Sequence, residues 1–420
     1  MEFLIRAAEI IQPNTSLHKT KKDILIANGM IQSIEDHIDF EGQIVSSDDL
    51  KVSVGWVDMR ANYNDPGLEH KEDLDSGAAV ALASGFTDVV LTPNTVPVVS
   101  NKNALSYYKR FNKLSALELH PVGALTERCE GKELTEMIDL HTSGAKAFSD
   151  GSNAVWHTDL FIKALQYLQK FDGLLIDKPE DKLLTSYAQM HEGEVSTYLG
   201  MKGMPSLAES LTIHRNLELL AYAGGKLHVS LVSTEEGLEL IRGAKMKGLN
   251  VTCDVGVNYL MFEDNALNGY DTNLKVNPPY RLKSDREALL KGVLDGTIDT
   301  IVSDHNPQDI ESKKLEFDLA EFGSANQQSF YSTALAVLGD RFEDVIPLVT
   351  SKPRKRLGIE SQEIKEGAHA CLTLFDPKAT WEYNSATNKS KSMASPFFGK
   401  VLSGKVIGVA NKGQLHLNEY

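Results

Sequence analysis

Up to about residue 50, apolar positions come in short alternating runs, the period of half-buried strands. The runs read FLIRAAEII, KDILIANGMIQSIE and GQIVSS, and the turn pairs Pro13-Asn14 and Asn28-Gly29 separate them. The same texture returns near the C-terminus in ACLTLFDP, ATWEYN and KVIGVANKGQLHL. Two β-rich ends around a different middle predict one small β-sandwich domain built from residues 1–51 and 351–420. The middle, 52–350, alternates between the two periods. VSVGWVDM reads as a strand, HKEDLDSGAAVALASGF as a helix ended by Gly85, TDVVLTPNT as a strand, and ALSYYKRFNKLSAL as a helix. The alternation continues through LELHPVGAL, KAFSD, GLLIDKP, KLHVSLVST, NVTCDVGVNYL and DTIVSD. Repeated βα units imply a parallel sheet, and about eight of them a (β/α)8 TIM-like barrel. The competing arrangement is an open doubly wound sheet. Hydrophobic strands that end in polar residues favour the barrel, whose sites sit at the C-terminal strand ends.

Composition narrows the partners more than the chemistry. The chain has 420 residues, 42% hydrophobic and 24% charged, enough for a large core. Its formal charge of −15 argues against nucleic acid or an anionic membrane as partner. The start, MEFLIRAAEIIQPN, lacks the apolar run of a signal peptide, and no stretch approaches the ~20 apolar residues of a membrane span. Cys129, Cys253 and Cys371 are odd in number and far apart, as expected of buried thiols in a reducing cytoplasm. No GxGxxG or P-loop pattern points to a nucleotide.

Specific blocks carry more. DPGLEHKEDLDSGAAVALASGFT, TPNTVP, KAFSDG, PEDKLL, GMPSLAESLTIHRNLELL, LHVSLVST, NPPYR, SDH and KSMASPFFGKVLSGKV follow one another in order. Together they resemble the dihydroorotases, zinc hydrolases of pyrimidine biosynthesis in the amidohydrolase superfamily, and the resemblance runs over essentially the whole chain. It implies the metal-dependent-hydrolase type of barrel with its small β-sandwich. It also implies a two-metal site, because opening a cyclic amide near neutral pH needs a hydroxide and a polarised carbonyl.

The positions that the resemblance assigns to that site hold other residues. The family's His-x-His pair falls on Arg60 and Asn62, and its bridging acid on Asp150. The next histidine falls on Lys178 in Lys178-Pro179-Glu180-Asp181, and the fourth on Leu231 in Leu231-Val232-Ser233-Thr234. The last acid is kept as Asp304. A guanidinium has no free lone pair, and leucine has no donor. His228 stands three residues before Leu231, and strand alternation would point it elsewhere. The substrate positions Asn94, Asn277 and His305 match, whereas the carboxylate-binding arginine is replaced by Asn64. The expectation is therefore no metal centre and no cofactor, with Asp304 a vestige of catalysis and Asn94, Asn277 and His305 vestiges of substrate binding. Arg281 and Asp285 read as a loop and helix-start pair.

Arg60 and Lys178 would neutralise carboxylates that the missing metals leave behind. An ion pair from one of them to Asp150 or Asp304 is expected, since a buried unpaired carboxylate is costly. Two functional readings follow. One is a non-catalytic homologue that acts as a structural or regulatory partner of aspartate transcarbamoylase and assembles as a homo-oligomer; the resemblance to non-catalytic family members supplies that partner. The other is an active cyclic-amide hydrolase, turning dihydroorotate into N-carbamoyl-aspartate with a reduced or absent metal site. The segment after Asp304, NPQDIESKKLEFDLAEFG, is expected to be free or available to a partner.

Overall fold

The computed structural model describes residues 2–419. One eight-stranded sheet is built from both ends of the chain. Its N-terminal strands are Glu2–Ile10, Lys21–Ala27, Met30–Glu35, Gln43–Val45 and Lys51–Val54. Its C-terminal strands are Leu372–Tyr383, Lys400–Asn411 and Gln414–Leu417. The two sets join where Lys51–Val54 runs antiparallel to Leu372–Tyr383, with Val54 opposite Leu372. The alternating runs bury Phe3, Ile5, Ile24, Ile26, Leu372 and Leu374 in a core of their own.

The middle of the chain is a (β/α)8 barrel. The parallel order runs through Trp56–Ala61, Phe86–Leu91 and Glu118–Pro121, and then from Gly123–Ala124 through Phe148–Ser149, Leu175–Asp177, Leu227–Val229 and Val251–Gly256 to Thr300–Val302. The third strand is broken only at Val122, whose N–H donates to Leu91 O at 3.0 Å. Closure comes from a parallel bridge between Ala61 and His305, where Asn62 N–H donates to His305 O at 2.8 Å. A second seam tightens it. Asp58 accepts from Ser303 N at 3.1 Å and from Gln327 Nε2 at 2.8 Å, and Tyr63 donates to Gln327 at 2.9 Å.

Local chemistry explains where the elements stop. The helix Leu74–Ala83 starts at Asp73, whose carboxylate accepts from Ser76 N in a capping box. It ends at Ser84, and Gly85 follows at φ +91°. A Cβ there would come within 2.7 Å of Thr373, so the turn needs glycine twice over, for conformation and for close approach. Under this turn Trp56 packs among Phe86, Phe330, Tyr331, Phe342 and Phe375, with ring centroids 5.5 to 6.3 Å apart. Each such ring removes some 150–250 Å² from water. This aromatic cluster ties the barrel to the terminal sheet. The described residues contain no helix long and apolar enough to cross a membrane, and all three cysteines are free and buried.

The segment after Asp304 is anchored, which corrects the first of its two expected states, free or available to a partner, and leaves the second untouched. It forms the short helix Ile310–Lys313. Two buried lysines then clasp it through backbone carbonyls. Lys313 donates to Glu321 O and Gly323 O, each at 2.8 Å, and Lys275 to Phe317 O at 2.6 Å. Lys275 also lies 4.8 Å from the centroid of the Phe322 ring, a cation–π contact.

Candidate active site at the barrel mouth

The carboxyl ends of the barrel strands bring the positions singled out above to one end. Arg60 closes the first strand, is 5% exposed, and donates from Nε to Asp304 Oδ1 at 3.2 Å. This is the ion pair expected of one of the two new cations. Asp304 follows the last strand at φ +49°, a left-handed position for a non-glycine residue. Burial pushes its carboxyl up to about 6, against the charge and hydrogen bond of Arg60 and the more distant charge of Lys178.

Lys178 does not reach Asp304 or Asp150. It follows the strand Leu175–Asp177 and donates to Glu180 at 2.7 Å. Burial works against the ionised form of Glu180, yet the charge and hydrogen bond of Lys178, with donation from Thr185 and Asn277, hold its carboxyl at about 2. Asp150 is met by neither cation. It accepts from Thr126 N at 2.8 Å and from the Thr126 hydroxyl at 2.5 Å, and burial raises its pKa. Neutral donors thus satisfy this carboxylate where a cation was expected.

Leu231 corrects the argument from strand alternation. The strand Leu227–Val229 ends before it, and Leu231 sits at φ +57°. Its N–H donates to Asp254 Oδ1 at 2.6 Å, while His228 Nε2 lies 2.8 Å from Asp254 Oδ2. One buried carboxylate therefore joins the two residues. Asn62 accepts from the Thr92 hydroxyl and serves the closing seam.

The substrate positions divide. Asn277 donates to Glu180 at 3.1 Å and so belongs to the Lys178 cluster. Asn94 donates to Asp150 O at 3.1 Å and accepts from Ser152 N at 2.7 Å. His305, beside Asp304 in sequence, has its Nε2 3.3 Å from Glu72 and its ring edge-on to Tyr63. Arg281 is a further correction. It is buried, donates to Ser233 at 3.0 Å and to Met204 O at 2.8 Å, and lies 3.7 Å from Glu209. Asp285 alone marks the helix start, accepting from Leu282 N at 3.2 Å and Glu235 N at 2.8 Å. His191 joins this cluster 3.3 Å from Arg281. Burial and the Arg281 charge lower its pKa to about 4, which keeps the ring neutral.

Glu180, Asp254, Glu209 and His191 were not picked out from the sequence. Two of them left a trace there. Glu180 stands two residues from Lys178, and Asp254 is an acid inside the otherwise apolar Cys253–Val255 run. The void bordering Arg60 inside the barrel measures about 10 Å³, at the lower limit for a single water.

A family profile described as Dihydro-orotase-like matches residues 50–237. A curated dihydroorotase from Citrifermentans bemidjiense is 35% identical over 99% of both chains. One from Carboxydothermus hydrogenoformans is 37% identical over 91% of each. The chain belongs to the dihydroorotase family. Solved structures support the architecture. An L-hydantoinase from Arthrobacter aurescens superposes with a TM-score of 0.85 over 99% of this chain and 96% of its own, at 20% identity. A D-hydantoinase gives 0.84 over 100% and 96%, at 18% identity.

Membership corrects the expectation of no cofactor. The dihydroorotases are zinc hydrolases, so zinc is the metal that membership implies for this fold. The residues at the six positions that the resemblance assigns do not fit a two-zinc centre of the dihydroorotase type. Such a centre takes neutral imidazoles and carboxylates. Here Arg60 occupies the Asp304 carboxylate, Thr126 occupies Asp150, and Lys178 and Leu231 offer no imidazole.

Proposed function

We propose that this chain is a dihydroorotase homologue whose barrel mouth has been rebuilt as an ion-paired core. It works as a non-catalytic structural or regulatory partner of aspartate transcarbamoylase, and as a homo-oligomer. The observation that carries this reading is the buried Arg60–Asp304 pair. In the family pattern Asp304 handles the proton of the reaction. Burial raises the Asp304 carboxyl to about 6, but the Arg60 guanidinium occupies its Oδ1 at 3.2 Å, so the oxygen that would take the proton is already engaged. The loss of the substrate-carboxylate arginine, replaced by Asn64, points the same way.

The second reading is a working cyclic-amide hydrolase that converts dihydroorotate to N-carbamoyl-aspartate. The curated dihydroorotases at 35% and 37% identity over nearly whole chains favour it. One assay separates the two. Dihydroorotate turnover is measured with zinc supplied and with a chelator. Under the first reading both rates lie far below ~1 s⁻¹, the low end of ordinary enzymes. A rate near that value, abolished in Asp304→Asn, would establish the second.

A further inference from the structure

The end of the barrel opposite Asp304 carries a cavity of about 850 Å³, within the size range of small-molecule sites. One wall is the amino ends of barrel strands, with Asp88 in Phe86–Leu91, His120 in Glu118–Pro121 and Lys146 just before Phe148–Ser149. The facing wall is the terminal sheet, including Lys412. Neither the family's chemistry nor the barrel mouth uses this space.

Its charges do not cancel. The Lys and Arg residues of the lining are Lys109, Lys146, Arg354 and Lys412, and the acids are Asp88, Glu118 and Glu360. Burial works against the charge of Asp88, but the His120 hydrogen bond and the Arg354 charge hold its carboxyl at about 2, so it stays ionised and offsets Arg354. Glu118 is paired with Lys412. Lys109 and Lys146 have no acidic partner among the described residues. The Lys109 side chain lies across Gly144, where a Cβ would come within 2.9 Å of its Cε. With Glu360 as the third acid, the lining keeps an excess of one positive charge, a local exception in a chain of net charge −15.

The floor points the same way. Arg354 is 3% exposed, and Nη2 alone carries its bonds, to Asp88 at 2.5 Å and to Thr87 and Gly55 O at 3.2 Å. Its buried Nε has no partner among the described residues. A buried N–H of a cation left unpaired is costly. His120 lies beside it, 2.9 Å from Asp88.

We propose that this cavity is a binding site for a small organic polyanion of nucleotide size. Lys109 and Lys146 hold its charged groups at the rim, over a floor of Arg354 and His120. Because the ligand would touch both barrel and terminal sheet, it would stabilise the folded chain by mass action.

The test uses the full chain with pyrophosphate, ATP and citrate as probes, by calorimetry and thermal shift. At least one probe is expected to bind one-to-one with a Kd below ~1 mM and to raise the melting temperature. Binding should weaken at about 300 mM salt relative to about 50 mM. Phosphate probes binding while citrate does not would identify a phosphate ester, and the reverse a polycarboxylate. The variant Lys109→Ala/Lys146→Ala should weaken the best probe roughly tenfold, with the unliganded melting temperature unchanged, since both side chains are exposed. If no probe binds at ~10 mM, far above the expected Kd, or the double variant binds as well as the parent, the proposal fails.

Discussion

At the scale of single residues, charge pairing organises the barrel mouth. Arg60 and Asp304 are both buried, so removing one strands the other. Arg60→Met is expected to lower folding stability by about 3–5 kcal/mol, the range for an uncompensated buried charge. Urea denaturation checks it, and a loss within ~0.5 kcal/mol, as for an ordinary surface change, would refute the paired-core reading. Lys178→Met carries a pH signature. The Glu180 carboxyl is depressed from its ordinary 4.5 to about 2. A depressed acid contributes stability that is present above its unfolded pKa and lost as pH falls through the folded value. The variant should therefore be less stable by on the order of 2 kcal/mol at about pH 7. Its deficit should shrink as pH falls from about 4.5 toward 2. A deficit that stays constant across that window would show that Lys178 acts by packing alone. Arg60 and Lys178 were visible as cations in the wrong places in the sequence. That Arg60 takes Asp304 was not, because it depends on where two strand ends 244 residues apart meet; Lys178 turns instead to Glu180, two residues along its own segment.

At the scale of elements, the segment after Asp304 shows how tertiary contacts override a loop-like sequence. The expectation is that it is free or available to a partner, yet Lys313 and Lys275 reach back and bind its carbonyls. Burial, with the nearby charge of Lys275, lowers the Lys313 pKa to about 7. Between about pH 7 and pH 10 the unfolded chain then holds the proton that the folded chain has released, so this contribution to stability rises with pH. The parent should accordingly gain stability relative to Lys313→Met on going from about pH 7 to about pH 9. Paired thermal melts at the two pH values test this, and a flat difference would contradict it. The strand ends behave similarly. The βα alternation was legible from period alone, but the left-handed step at Leu231, which lets its N–H and His228 share Asp254, was not.

At the scale of the whole molecule, the proposed role lies in assembly. A stable partner interface buries on the order of 1,600 Å² with an apolar centre. Co-purification with aspartate transcarbamoylase from the native cell is expected, together with transcarbamoylase activity that changes when this chain is removed. Separate elution at micromolar concentration with indifferent activity would remove the partner reading. A multimer of this chain alone on gel filtration would then leave the homo-oligomer as its remaining support.

The sequence by itself determined the family and the architecture. Periodicity records which face of each element is buried, and blocks such as NPPYR, KAFSDG and KSMASPFFGKV keep their order along the chain. It also put Arg60, Asn62, Lys178 and Leu231 at positions where the resemblance expects imidazoles, a reading that needs no geometry. Tertiary structure alone decided the pairings. Arg60 met Asp304 across the barrel seam, Asp150 was satisfied by Thr126, Arg281 sank to Glu209 and Ser233, and His305 turned to Glu72. It also opened a cavity between the barrel floor and the terminal sheet, where Lys109, Lys146 and Arg354 come from distant parts of the chain. Electrostatic and hydrogen-bond energies fall off within a few ångströms, so partners far apart in sequence become readable only once the barrel has closed.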